Sequence, residues 1–150
     1  MIKEFLLNWI KNQKYGIVVY PTELFDLRIQ EEMIRADESK EYFVYVEVNF
    51  AKIRETLKTD GDEVTFWKAF LKSLATTSRG SDIYGILEKE SGFGLVLLDS
   101  KMDGWIRLEG RIRESCKLSL DNVQRSLVNG CKAFVYPACL TQSQEPVLTK

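Results

Sequence analysis

The chain has 150 residues, of which 45% are apolar and 11% aromatic, so it is long enough for one compact domain with a real core. Its 21 basic and 22 acidic residues nearly cancel, which argues against nucleic acid or an anionic membrane as a partner. The sequence contains no histidine, and this excludes imidazole bases, histidine metal ligands and histidine-activated nucleophiles.

The cysteines and the N-terminal residues favour a cytoplasmic protein. Cys116, Cys131 and Cys139 form an odd set without a CxxC pair, so the sequence predicts neither a disulfide framework nor a structural zinc site. The first apolar stretch is interrupted by charged and amide side chains, unlike a signal peptide. No run of about 18 apolar residues occurs, so we predict no membrane span.

The first predicted element is a short amphipathic helix. Its apolar residues recur at helical spacing: Ile2, Phe5, Leu6, Trp9 and Ile10. This apolar face could cover the sheet of the domain or form a dimer seam, and the sequence leaves both open. Residues 15–21, YGIVVYP, then predict a short strand or an extended linker that ends at Pro21.

A second helix and a central strand follow. Thr22 is predicted to cap a helix that runs through Glu38. This helix has six large apolar residues: Leu24, Phe25, Leu27, Ile29, Met33 and Ile34. Residues 42–50, YFVYVEVNF, are β-branched and aromatic without a breaker, which is typical of a central strand buried on both faces.

Two more helices are predicted at 51–58 and 63–75, separated by a turn at 59–62. The second of them carries an apolar stripe that predicts packing against a sheet: Val64, Trp67, Phe70, Leu71 and Leu74.

The remaining elements begin with a β-hairpin. Its strands are predicted at 82–87 and 93–98 around a turn at 88–92, followed by helices at 105–118 and 120–130 and a last strand at 131–139. Hairpin strands combined with helical crossovers predict an α/β, or α+β, fold. We expect a mixed, partly antiparallel sheet covered by helices.

Four stretches of the chain share motifs with one known family. PTELFDLR at 21–28 is similar to an opening motif LTGLYNRR, and YFVYVEVNFAK at 42–52 is similar to a strand that ends in Asp-x-Asp-x-Phe-Lys. RGSD at 79–82 matches an Arg-x-x-Asp motif, and EKESG at 88–92 stands at a signature hairpin. Together these stretches resemble the GGDEF family, the diguanylate cyclases that condense two GTP into cyclic di-GMP. The resemblance implies a nucleotidyl-cyclase-like sheet with the hairpin at the former signature site.

The sequence departs from the catalytic residues that the resemblance implies. At the signature, Glu88 and Lys89 replace two glycines that let the backbone approach the GTP phosphates, and Ser91 replaces the catalytic acid. Glu55 replaces an asparagine that reads guanine, so the hydrogen bonds that select the base are lost. The resemblance therefore implies a degenerate domain that is not a cyclase.

Glu47 and Glu90 match metal-ligand positions of the family, and Asn49 and Lys52 belong to the same strand-end motif as Glu47. Two carboxylates could hold Mg²⁺, although the ion would be weakly bound without the phosphates that complete its shell. Solvated carboxylates are the alternative interpretation. We predict no bound metal and no cofactor.

Arg79 and Asp82 are the candidate ligand-binding residues. The resemblance implies an inhibitory-type site for cyclic di-GMP, in which the guanidinium of Arg79 contacts guanine or phosphate and Asp82 accepts from the guanine edge. Arg111, on the following helix, is the candidate third member. The alternative is that Asp82 ends the helix-to-strand turn while Arg79 is a solvated surface residue.

The predicted organisation is an N-terminal helix and linker at 1–20, a degenerate GGDEF-like domain at 21–140 and a polar tail at 141–150. The predicted function is a catalytically inactive bacterial signalling domain that binds cyclic di-GMP through the Arg-x-x-Asp site and contacts a protein partner or a second copy. One alternative is a protein-interaction or dimerisation module without a nucleotide ligand. The other is a residual sensor of GTP and Mg²⁺.

Overall fold

The computed structural model describes residues 2–77 and 82–137, with the side chains of residues 4–76 and 82–137. The N-terminal half contains α1 (Ile2–Lys11), β1 (Val19–Tyr20), α2 (Thr22–Ser39), β2 (Phe43–Asn49), α3 (Phe50–Leu57) and α4 (Asp60–Thr77). The C-terminal half contains β3 (Ile83–Ile86), a 3₁₀ turn (Glu88–Glu90), β4 (Gly92–Leu98), α5 (Met102–Ser115), α6 (Leu120–Gly130) and β5 (Cys131–Tyr136).

The strands form one mixed sheet in the order β1-β3-β4-β2-β5. The short edge strand β1 runs parallel to β3, and the other three pairings are antiparallel. This arrangement confirms the mixed, partly antiparallel sheet with a hairpin that the sequence predicts. The structure also confirms that β2 is a central strand, since it pairs with β4 on one side and β5 on the other.

The alternation of side chains along β2 separates two apolar cores. Val44, Val46 and Val48 point into the first core, beneath α1, α3, α4, α5 and α6, whereas Phe43 and Tyr45 point into the second core, beneath α2. Because both faces are buried, the strand has an almost continuous apolar sequence instead of alternating apolar and polar residues.

The first core is built around the aromatic residues of α4. Trp67, Phe70, Leu71 and Leu74 are fully buried, as the stripe predicts, while Val64 is only half-buried. The rings of Trp67 and Phe70 contact Phe93 of β4 at centroid distances of 5.8 and 6.1 Å.

The helix α1 contributes to the same core. Leu6, Leu7 and Ile10 are 1%, 4% and 0% exposed, and they belong to the first core. Of the two alternatives that the sequence leaves open for this apolar face, the structure shows the one in which it covers the sheet.

The second core forms where α2 lies over the hairpin. Phe25 is fully buried, and its ring lies over Gly85 of β3 and Gly94 of β4, which are opposite each other in the sheet. A Cβ atom at Gly85 would lie 2.3 Å from Phe25 Cγ, and one at Gly94 would lie 2.4 Å from Cε2. These two glycines are therefore what allows the helix to approach the hairpin so closely.

Not every apolar residue of α2 enters this core. Phe25 and Ile29 are buried and Met33 is half-buried, but three other apolar side chains are exposed: Leu24, Leu27 and Ile34.

Predictions at the ends of three helices are wrong. Thr22 does not cap α2, because the N-cap is Pro21 and the Thr22 hydroxyl instead donates to the carbonyl oxygen of Leu87, 3.2 Å away. The turn predicted at 59–62 is mostly helix, since α4 begins at Asp60 with three acidic residues in its first turn, which stabilise a helix N-terminus. The helix predicted at 105–118 is α5, which begins and ends three residues earlier. None of the described helices is long and apolar enough to span a membrane.

Candidate functional site

A cleft of about 890 Å³ opens beside α2, at the hairpin tip. Its residues come from the ends of several elements, since β2 and β5 form its floor, α2 forms one wall, and the hairpin tip with the ends of α3 and α6 forms the other. Six of the predicted positions line it: Glu47, Asn49, Lys52, Glu88, Lys89 and Ser91.

Glu47 lies on the floor of the cleft, half-buried in β2 and opposite Lys132 of β5. The Tyr45 hydroxyl donates to Glu47 Oε2 over 2.9 Å. Burial raises the pKa of the Tyr45 phenol, and the Glu47 carboxylate raises it further, so the phenol stays protonated and remains a donor. One oxygen of the carboxylate at the former metal-ligand position is therefore already hydrogen-bonded within the protein.

Asn49 has a structural role at the end of β2. It is the N-cap of α3, and its Oδ1 accepts from the backbone N–H of Lys52 over 3.0 Å. Lys52 itself is exposed on the first turn of α3 and lines the cleft. Glu55 is exposed on the same helix but does not line the cleft.

The hairpin tip is a tight turn closed by backbone hydrogen bonds. Leu87 N–H donates to the Gly92 carbonyl over 2.9 Å, and Glu90 N–H donates to Leu87 over 2.9 Å. Lys89 and Glu90 have φ values of 57° and 55°, in the left-handed region that favours glycine. Lys89 thus keeps a backbone conformation suited to the glycine that it replaces in the resemblance, while its side chain lines the cleft.

Glu90 is exposed and does not line the cleft, so the structure does not place it at the cleft with Glu47. In residues 2–77 and 82–137, no group of three or more acidic or cysteine side chains is arranged to hold a metal ion.

The cleft carries charges of both signs. Lys52, Lys89 and Lys132 line it together with four carboxylates: Asp26, Asp37, Glu47 and Glu88. A polyphosphate in this cleft would therefore face four acidic and three basic side chains, and the repulsion would offset much of the attraction.

Asp82 and Arg111, two members of the predicted ligand site, do not line this cleft. Asp82 is half-buried just before β3, and its Oδ1 accepts from the backbone N–H of Leu98 over 3.0 Å, which ties the two hairpin strands together. Arg111 is exposed on α5, and Arg79 lies outside the described residues.

Sequence reasoning missed the two tyrosines of the floor. Tyr136 Oη donates to both carboxylate oxygens of Asp37, each at 3.0 Å, and this links β5 to the last turns of α2. Burial and the Asp37 carboxylate raise the pKa of Tyr136. Tyr45 could have been found, because it is two residues from Glu47 and so shares its face of the strand. Tyr136 depends on the pairing of β5 with β2, which no local pattern gives.

Comparison of the sequence with protein-family models and with curated proteins finds no match. Comparison of the structure finds the GGDEF domain of TpbB (YfiN) from Pseudomonas aeruginosa, with a TM-score of 0.52 and 16% identity over 79% of this chain and 72% of that one. A DGC protein from Thermotoga maritima gives a TM-score of 0.53 and 14% identity over 87% of this chain and 92% of that one.

The diguanylate cyclase SiaD from P. aeruginosa, solved in complex with its activator SiaC, gives a TM-score of 0.51 and 16% identity over 94% of this chain and 57% of that one. At this level of identity the likeness is one of fold. The chain therefore has the fold of the GGDEF domains of diguanylate cyclases.

Proposed function

We propose that this chain is a catalytically inactive GGDEF-like signalling domain. The observation that carries the proposal is the hairpin tip, where the side chains of Glu88, Lys89 and Ser91 line the cleft. In the resemblance, the first two of these positions are glycines, and the third is the catalytic acid.

The hairpin tip disfavours the phosphates of GTP. A backbone of two glycines can approach a phosphate closely. The side chains of Glu88 and Lys89 prevent this approach, and the carboxylate of Glu88 also repels the phosphate. The Leu87–Gly92 and Glu90–Leu87 hydrogen bonds fix the turn, so the tip keeps these two side chains at the cleft.

Binding of the metal ion that accompanies GTP is disfavoured as well. A Mg²⁺ ion that bridges GTP to the protein needs carboxylate oxygens in octahedral geometry. Glu47 already accepts from Tyr45, and Glu90 does not line the cleft. Ser91 is neutral, so it cannot replace a carboxylate as a base and brings no negative charge to the ion.

We propose cyclic di-GMP as the nucleotide ligand, bound by Arg79, Asp82 and Arg111. Asp82 is held just before β3 by its bond to Leu98, and Arg111 is exposed on the surface of α5. The Asp82 carboxylate would accept hydrogen bonds from a guanine edge, and the planar guanidinium group of an arginine would donate to guanine or phosphate. These two groups suit this ligand.

The test combines titration calorimetry and a product assay on the same protein. We expect heat with cyclic di-GMP, none with GTP plus Mg²⁺, and no cyclic di-GMP product above a blank without protein. Arg79→Ala or Arg111→Ala should weaken the binding of cyclic di-GMP at least tenfold, and the matched control Glu90→Ala, an exposed residue of the hairpin tip, should not change it.

Two results would contradict the proposal. Formation of cyclic di-GMP from GTP would show that the domain is an active cyclase. Binding of GTP that requires Mg²⁺ and is lost in Glu47→Gln would instead support the residual sensor.

A protein-interaction module is the second candidate function, and the exposed apolar residues of α2 favour it. The fold neighbour SiaD was solved with a protein activator, which supports a protein partner for this fold. If neither nucleotide gives heat, this candidate takes precedence.

A further inference from the structure

The outer face of α2 has the spacing of a helix-pairing seam. Residues 24, 27, 31, 34 and 38 follow one another at intervals of three and four, which places them along one side of the 18-residue helix. Their identities are Leu24, Leu27, Glu31, Ile34 and Glu38, and we call this set the α2 stripe.

The α2 stripe is exposed along its whole length. Leu24, Leu27 and Ile34 are 49%, 55% and 59% exposed, and Glu31 and Glu38 are exposed as well. The opposite side of the helix is the one that packs on the sheet, through Phe25, Ile29 and Ala36. The helix is therefore apolar on two sides, and the fold of this chain accounts for only one of them.

We propose that the α2 stripe docks an amphipathic helix of a partner protein. The partner helix would place apolar side chains against Leu24, Leu27 and Ile34, and lysine or arginine opposite Glu31 and Glu38. This is helix pairing of the coiled-coil type, in which Glu38 in particular selects a basic partner and fixes its register.

Charge complementarity supports a basic partner. Both arginines of α2 contact the buried carboxylate of Glu32, at 3.5 Å from Arg28 and 3.5 Å from Arg35. Arg28 also pairs with Glu31 at 2.7 Å, on the solvent side of the helix. Within the part of the chain that the structure describes, Glu38 has no ion pair, so the C-terminal half of the stripe is acidic and uncompensated.

The same charges disfavour a second copy of this chain as the occupant. In a parallel pairing of two α2 stripes, Glu31 and Glu38 would each face their own counterpart, and like charges in a seam repel. In an antiparallel pairing the glutamates would face leucine or isoleucine, and burying them without a partner is costly.

This inference goes beyond the proposed function, because it needs neither GTP nor cyclic di-GMP. The α2 stripe lies beside the cleft, and Ile34 is both a member of the stripe and a residue that lines the cleft. Failure of one proposal therefore leaves the other standing, provided that nucleotide binding and helix binding are measured separately.

The test uses two fluorescein-labelled peptides of three heptads each. Both have leucine at every d position and at the first a position, and one has lysine at the other two a positions where the other has glutamate. Fluorescence anisotropy should show micromolar binding of the lysine peptide to the wild-type protein, and at least tenfold weaker binding of the glutamate peptide.

Variants locate the binding. Leu27→Asp should weaken binding of the lysine peptide at least tenfold, whereas Ile106→Asp, at a 54% exposed isoleucine of α5, should leave it unchanged. Glu38→Lys should shift the preference toward the glutamate peptide. Circular dichroism would verify that each variant is folded.

The inference is overturned if neither peptide binds, if both bind equally, or if Leu27→Asp retains the binding. It is also overturned if analytical ultracentrifugation shows a dimer that Leu27→Asp dissociates, since the occupant would then be a second copy.

Discussion

At the scale of single residues, the contact between Phe25 and the hairpin depends on two glycines. Gly85 and Gly94 face each other across β3 and β4, and the fully buried Phe25 ring occupies the space that their side chains would take. A methyl group at either position must displace this ring, which is packed on all sides.

We expect Gly85→Ala to lower the free energy of unfolding by about 1–3 kcal/mol, the usual cost of overpacking a core. The matched control is Gly61→Ala in the first turn of α4, where a Cβ atom meets nothing within 4 Å. This control should raise stability by up to about 1 kcal/mol, because alanine is the better helix former. Urea denaturation measures both, and a Gly85→Ala variant as stable as the wild type would refute this account of the packing.

Single residues also show how far the sequence predicts the site. Glu47, Asn49, Lys52 and Lys89 were found through short motifs, and the structure places all four at one cleft. Their hydrogen-bond partners were not predicted. The N-cap bond of Asn49 and the hydrogen bond from the Tyr45 phenol to Glu47 depend on where β2 ends and on the direction in which its side chains point.

At the scale of elements, α3 and α4 are joined by an ion pair that the sequence did not reveal. Glu63 is 3% exposed in the first turn of α4, and its Oε2 lies 3.4 Å from Arg54 Nε of α3. Burial raises the pKa of Glu63, nearby Asp60 raises it further, and Arg54 opposes both. Arg54 and Glu63 both lie in predicted helices, but their contact depends on how α3 and α4 pack against each other, which no local pattern gives.

A pH dependence of stability follows from Glu63. Because its pKa is raised in the folded state, the folded protein binds this proton more tightly than the unfolded chain does. The contribution of Glu63 to stability is therefore highest at low pH and falls as the pH rises from about 4.5 through the raised value. In Glu63→Gln this fall should be absent, so the stability of the variant relative to wild type should increase with pH across that window.

Urea midpoints between pH 4 and 7 would measure this effect. Arg54→Gln provides a second variant, because loss of the opposing guanidinium should raise the pKa of Glu63 further and extend the fall to higher pH. Parallel pH profiles for wild type and Glu63→Gln would show that the carboxyl group titrates alike in the folded and unfolded chain.

At the scale of the whole molecule, apolar periodicity predicted the order of the elements and the two-faced burial of β2. It did not predict which apolar residues would be exposed outside the two cores. Leu27 and Ile29 are similar in character and two positions apart in α2, yet one is 55% exposed and the other 9%. Only the direction in which the helix crosses the sheet distinguishes them, and that direction depends on the glycines of a hairpin about 60 residues away.

The sequence also left the role of α1 open, and its packing gives a prediction for the whole molecule. Ile10 is fully buried in the core that α3, α4, α5 and α6 share, whereas Phe5 of the same helix is 53% exposed. Ile10→Ala should lower the free energy of unfolding by about 2–5 kcal/mol, as other buried isoleucine truncations do. Phe5→Ala should change the free energy of unfolding by less than about 1 kcal/mol.

Because α1 packs on the same core as four other helices, urea unfolding of Ile10→Ala should remain a single transition at a lower midpoint. Tryptophan fluorescence and circular dichroism should both report this one transition. Two separated transitions, or an unchanged midpoint, would mean that α1 is an appendage to the sheet and that the domain folds without it.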